Sequence, residues 1–293
     1  MTEPDPARLS SVSMTVRRYS ADAARRSPGA LFSALISELW QAKELALRLF
    51  VRDLKQRYRQ SVLGFLWLLL PPLATALVFV FLNSRKILNI DPTGIPYPVY
   101  VLLGTLLWQI FTESVLTPLK SFEACVPILI KINMSREAPI LAGMAQVAVF
   151  AAVQLPLAFG TLLMFGMPLS WGMLLALPAI LALMVMGTAA GLLLVPFGAL
   201  FKDVGEGSAM ALRFLFFLTP IVYPAPKEWP WSLVATLNPV SPLLQGAREL
   251  FTSGALSDPL SFWIACFGGI VAFVLALIFY RLAIPVVLER MGA

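Results

Sequence analysis

The sequence predicts an all-α polytopic membrane protein. It should have six transmembrane helices, an amphipathic interface helix ahead of the first, and a re-entrant external helical hairpin between spans five and six. Three observations lead there. Only 13% of the 293 residues are charged and 59% are hydrophobic, whereas a soluble domain carries about 25% charged residues. Uncharged runs fill 63–83, 259–280 and all of 138–201. A helix needs about 20 apolar residues to cross ~30 Å of hydrocarbon, so the last run must hold two spans and a turn. The cations, finally, lie unevenly along the chain.

The spans fall at about 63–83, 97–118, 139–166, 172–198, 207–224 and 260–280. An even number puts both termini on one side of the membrane. That side collects eighteen of the twenty-two Lys and Arg residues, eleven of them before residue 63; the other side has Arg85, Lys86, Lys227 and Arg248. Positive charge marks the cytoplasmic side, so both termini are expected there. The run 229–247 is also uncharged and long enough to span. Pro230, Asn238, Pro239 and Pro242 interrupt it, and proline breaks a continuous helix. It is therefore expected to form short helices within an external gate hairpin, 225–256. Irregular backbone at membrane depth survives only where protein or a water-lined cavity covers it.

Residues 1–30 are polar and read as a flexible cytoplasmic arm, with no apolar core of a cleavable signal peptide. Residues 31–60 read as the interface helix. Leu31, Leu35 and Leu39, then Leu47, Val51, Leu54 and Tyr58, recur at roughly helical spacing with charges between them, the pattern of a helix lying on the membrane surface. The six-span domain is expected over 61–285, and 286–293 as a cytoplasmic tail. The chain has no histidine, and Cys125 and Cys266 are far apart, so imidazole metal ligands, His-based triads and cysteine zinc spacings are excluded. No G-x-x-x-x-G-K-[ST] phosphate loop occurs, so energy must come from a partner, an ion gradient, or nothing.

Four blocks resemble the permease subunit of type-2 ABC transporters, specifically exporters of O-antigen, teichoic acid and related envelope polysaccharides. They are RDLKQRYRQSVLGFLWLLLPPL (52–73), GIPYPVYVLLGTLLWQIF (94–111), ALFKDVGE (199–206) and FLTPIVYPAPKEWPWSLVATLNPVSPLLQGARELF (217–251). The segment ILIKINMSREAPIL (128–141) departs, with Met-Ser where relatives often have an aromatic-proline pair. The resemblance implies a homodimer in the bacterial inner membrane, bound to two ABC ATPase subunits. It implies a lipid-linked polysaccharide substrate carried on polyprenyl diphosphate. ATP and Mg would sit on the partner ATPase, with no cofactor and no nucleic acid on this chain. It also implies a short coupling helix within 118–138, where Lys120, Glu123, Lys131 and Arg136 would meet the ATPase.

Candidate residues follow from chemistry. Arg52, Arg57 and Arg59 sit at headgroup depth, where guanidinium forks suit phosphate oxygens; attraction to anionic lipid remains an open alternative. Trp67, Tyr97, Tyr100, Trp108, Phe111 and Tyr223 could stack on sugars, or form the ordinary aromatic belt. Counting about 1.5 Å per residue puts Glu113 about 24 Å inward from Tyr97 and Arg213 about 9 Å outward from Gly207, at similar depth. A Glu113–Arg213 pair would relieve the cost of two intramembrane charges and latch an inner gate; snorkelling is the simpler alternative. Two other classes compete. A gradient-driven secondary transporter of a lipid or amphipathic solute would show midplane carboxylates and repeats. A glycosyltransferase would have to use Asp91, Glu228, Glu249 or Asp258, which form no motif.

Overall fold

A computed structural model describes residues 28–59, 61–88, 90–131, 134–168, 171–226 and 228–292. The expected arm, 1–30, lies almost wholly outside the described residues, as do the side chains of Leu31, Leu35, Leu39, Tyr58 and Lys131. Met1–Gln41 and Ala42–Ala293 form two separate compact units.

Among the described residues every regular element is helical: α1 (Pro28–Tyr58), α2 (Leu70–Ser84), α3 (Tyr97–Lys131), α4 (Ala138–Met164), α5 (Ala176–Leu200), α6 (Asp203–Leu218), α7 (Trp231–Leu237), α8 (Val240–Thr252) and α9 (Pro259–Gly292). Single 3₁₀ turns, Gly64–Leu68 and Trp171–Leu175, precede α2 and α5. Four helical stretches are long and apolar enough to cross a membrane: Tyr97–Leu129, Ala138–Met164, Trp171–Leu200 and Pro259–Met291. The protein is a polytopic helical membrane protein.

The first expected span is built in two pieces. Pro71 and Pro72 occupy the opening turn of α2, where a missing N–H costs nothing, and the 3₁₀ turn supplies the preceding rise. Fifteen α-helical residues give about 22 Å, and the five-residue 3₁₀ turn adds about 10 Å. Helix α2 alone is a shorter apolar helix than the four long ones. Helix α6 begins at Asp203 and ends at Leu218, several residues earlier than expected, because Thr219-Pro220 stops it. The expected hairpin is two short helices, α7 and α8, turning at Asn238–Pro239. Helix α9 runs on through the expected tail to Gly292.

The largest departure concerns α3. It does not stop at residue 118 but continues for 35 residues through Pro118 and Pro127, about 52 Å in all. No separate coupling helix forms between 118 and 131. An interior proline costs about 3 kcal/mol, and packing offsets it here. Leu119, Phe122, Cys125, Val126 and Leu129 are buried at helical spacing against α1, α5 and α9. Burying a large apolar side chain is worth about 1.5–3 kcal/mol, so several together exceed the penalty.

Helices α3 and α5 form the centre of the fold. They contribute to both apolar clusters, one shared with α8 and the other with α1 and α9. Gly187 and Gly191, four apart on α5, allow the two backbones to touch. A Cβ on Gly187 would stand 2.6 Å from Ser114 Cβ and 2.9 Å from the Phe111 carbonyl, and one on Gly191 would strike the Val115 carbonyl. Small residues one turn apart are how helices approach closely where lipid removes the hydrophobic driving force. Helix α9 closes one side and leaves Trp263, Ile264, Phe267, Ile270 and Leu275 exposed, an apolar face suited to acyl chains.

Gly191→Val should force α5 away from α3 and cost about 1–3 kcal/mol or more, read as a lower unfolding midpoint in detergent. Gly160→Ala, whose Cβ would have nothing within 4 Å, should leave that midpoint unchanged or slightly raised.

Candidate functional site

Polar groups gather at two places. The first is where α1 docks. Ala42, Ala46 and Leu49 are buried in the cluster shared with α3 and α9, while Leu47 and Val51 on the opposite face are exposed. The helix therefore has two apolar faces. One packs on protein, and the other, with Leu47 and Val51 of the stripe, remains for lipid.

The cations between these faces are stitched to the bundle. Arg52 Nε donates to Asp53 Oδ1 at 2.8 Å and its Nη2 lies 3.7 Å from Cys125 Sγ on α3. Gln146 Nε2 of α4 donates to Asp53 Oδ2 at 3.3 Å. Partial burial works against the Arg52 charge, but Asp53 and the Cys125 sulfur outweigh it and hold the guanidinium above its ordinary range. Arg57 Nη2 stands 3.9 Å from Glu113 Oε2, which also accepts from Thr117 Oγ1 at 3.1 Å. Arg59 is exposed.

Glu113 thus takes its cation from α1, and no ion pair joins it to Arg213. Leu212 and Phe216 form the inward face of α6, with Phe216 6.1 Å from Trp108. Arg213, about 100° around the helix, points away and is exposed. Lys120 and Glu123 stand exposed on the continuation of α3. Arg136 lies beyond it, where Tyr280 of α9 donates its hydroxyl to the Arg136 carbonyl at 2.6 Å while packing edge-on against Phe122 at 5.9 Å. This clasp joins the segment after α3 to α9. Tyr280, lying inside an apolar run, carried no sequence signal beyond its hydroxyl.

The second place is where the chain leaves α6. Residues 219–223 have no helix to satisfy their carbonyls, and side chains from elsewhere do so. Arg248 on α8 donates Nη2 to the Ile221 carbonyl at 2.7 Å and to Pro220 at 3.4 Å. Its guanidinium carbon lies 3.7 Å above the Tyr100 ring. Tyr97 and Tyr100 donate their hydroxyls to the carbonyls of Val222 and Tyr223, at 3.1 and 3.0 Å. Asn238 Nδ2 donates to Thr219 Oγ1 at 2.7 Å, and its Oδ1 accepts from the Val240 amide at 3.0 Å. Gly104 completes the arrangement, since a Cβ there would collide with the Ile221 carbonyl and with Arg248.

Arg248 is 4% exposed, so it is not one of the solvent-facing charges that the census of cations counts on the external side. The signal was a single arginine inside LLQGAREL, on a short amphipathic helix. Of the expected aromatics, Tyr97, Tyr100 and Tyr223 meet here, with the Tyr223 hydroxyl donating to Phe217 O at 2.5 Å. Trp108 and Phe111 are instead core residues, their rings 5.3 Å apart. Trp67 is exposed on the 3₁₀ turn before α2.

Arg248→Lys should lower stability by about 2 kcal/mol, since an ammonium loses the planar stack and the fork to the carbonyls. Glu113→Gln should cost under about 1 kcal/mol, because its pair with Arg57 is long and partly solvated. Thermal unfolding of the detergent-solubilised variants orders the two effects.

Comparison with known proteins bears on what these two places serve. Residues 44–252 match the ABC-2 type transporter family, a region running from the docked part of α1 to the end of α8. The chain is 27% identical over 210 residues to the O-antigen export system permease protein RfbA of Klebsiella pneumoniae, covering 70% of this chain and 79% of that one. It is 28% identical over 229 residues to the protein of the same name from Myxococcus xanthus, covering 76% and 86%. It is 23% identical over 240 residues to the polysialic acid transport protein KpsM of Escherichia coli, covering 80% and 91%. With α2 to α8, most of the docked basic segment and the capped break after α6 inside the matched region, the chain belongs to the ABC-2 type transporter membrane family.

Proposed function

We propose that this chain is the permease subunit of an ATP-driven exporter that moves lipid-linked polysaccharide across the bacterial inner membrane. The observation that carries this reading is the extent of the family match, 44–252, together with relatives named for O-antigen export and polysialic acid transport. The absence of a phosphate loop in the sequence supports a separate ATPase as the motor. Two permeases would pair around the path and engage two ATPase subunits, which would hold the ATP and Mg. Both termini would be cytoplasmic, with α7 and α8 capping the external exit.

The docking of α1 reorders the candidate headgroup residues. Arg52 is spent on Asp53 and Cys125. Arg57, held only loosely by Glu113, and exposed Arg59 are the better placed to receive a diphosphate. Coupling would run through the exposed continuation of α3, with Lys120 and Glu123 toward the ATPase, and through the Tyr280 clasp at Arg136 into α9.

The complex purified with its neighbouring ATPase should hydrolyse ATP faster when a polyprenyl-diphosphate glycan is added in lipid. Arg57→Ala/Arg59→Ala should lose most of that stimulation and Arg52→Ala much less. Failure of any ATPase to co-purify would instead favour the gradient-driven transporter.

A further inference from the structure

The loop between α2 and α3 encloses a cup of about 410 Å³, within the ~300–1,000 Å³ typical of small-ligand sites. Its polar wall is Asn83, Asp91 and Thr93, and the Tyr97 side chain lines it at the start of α3. The cup is stiff. Pro92 and Pro96 fix the backbone on either side of Thr93 and Gly94, and the Thr93 hydroxyl donates to the Ile95 carbonyl at 2.7 Å. The Tyr97 hydroxyl is tied to Val222 of the cap at 3.1 Å, which holds its ring in place. Gly94 has φ +70°, with nothing within 4 Å of where a Cβ would stand, so the mouth is open.

The wall groups differ in whether they are already engaged. The Thr93 and Tyr97 hydroxyls already donate to backbone carbonyls, whereas the Asn83 amide and the Asp91 carboxylate have no hydrogen-bond partner among the described residues. A free amide and a free carboxylate beside an aromatic ring offer donors and acceptors for neighbouring hydroxyls and an apolar surface for C–H groups. The charge narrows the ligand. Among the described residues no cation lines the cup, although Arg85 and Lys86 follow Asn83 into the same loop, so a phosphate or a carboxylated sugar would meet Asp91 at the wall itself. A single carboxylate is also too few oxygen ligands for a divalent metal.

We propose that this cup is a subsite for an uncharged, hydroxyl-rich sugar unit of the exported chain. This rests on the exporter reading above. The cup adjoins the cap through Tyr97 and Val222, so it would meet the glycan at the exit rather than the diphosphate.

The test uses the intact complex with its ATPase in nanodiscs and saturation-transfer NMR. The probes are a neutral panel (manno-, galacto- and rhamno-tetraose) and a sialic acid tetramer. At least one neutral tetramer should bind and the acidic one should not. Asp91→Ala and Asn83→Ala, both at the surface of the cup, should each weaken neutral binding by about tenfold. Asp91→Lys should admit the acidic tetramer. No binding by any neutral probe, unchanged binding in both alanine variants, or equal binding of the acidic tetramer to the wild type overturns the subsite. Deleting the gene separates the two readings. Surface polysaccharide that persists overturns the exporter and the subsite with it. Polysaccharide lost on deletion, with binding indifferent to Asp91 and Asn83, overturns the subsite alone.

Discussion

One buried arginine holds the two ends of an interrupted helical path together. Backbone carbonyls that leave a helix inside a membrane protein cannot turn to water, and each unsatisfied group costs several kcal/mol. At residues 219–223 that requirement falls on Arg248, Tyr97, Tyr100 and Asn238. Arg248 contributes most, because a guanidinium can stack flat on a ring and still direct donors along its plane. Its burial is costly, and its Nε has no partner in the structure. The stack on Tyr100 and two carbonyl bonds are what offset that cost. Because the same residues join α8 to the start of α3, the cap is fastened to the most buried helix of the fold.

That helix also organises the other end. The glycines of α5 bring its backbone against Phe111–Val115 of α3, and the continuation past Pro118 gives α1 and α9 a surface to pack on. The two ends are held differently. At the break after α6 the bonds run from 2.7 to 3.4 Å and centre on the buried Arg248. At the α1 end Arg57 and Glu113 stand 3.9 Å apart with side chains 42% and 24% exposed. Contacts of that kind are worth little individually and can be exchanged for a ligand.

Much of the fold was legible because hydrophobic length and charge distribution act along the chain itself. The uncharged runs located the long helices, and Asn238 and Pro239 marked the break between α7 and α8. The second span was expected to end at 118, and burial of Leu119, Phe122 and Cys125 carries the helix on. The candidate site was less legible. Glu113 and Arg213 matched in depth along two helices, but depth does not specify azimuth, and Arg57 occupied the place expected for Arg213. Trp108 and Phe111 offered the same aromatic chemistry as Tyr97 and Tyr100, yet pack ring to ring while the tyrosine hydroxyls reach the carbonyls of Val222 and Tyr223.

The sequence alone determined that this chain is an all-helical membrane protein with a basic amphipathic segment ahead of its first apolar run and a broken segment before its last. These properties depend on composition and periodicity, which any stretch of chain displays without its neighbours. Tertiary structure decided which charges are spent and which are free. Whether Arg52 has a carboxylate, whether Arg248 lies in a loop or beneath one, and whether Asn83 and Asp91 share a cup depend on residues remote in sequence. Coulomb and hydrogen-bond energies vary over a few ångströms, and only the packing of α3 against α5, α8 and α1 fixes those distances.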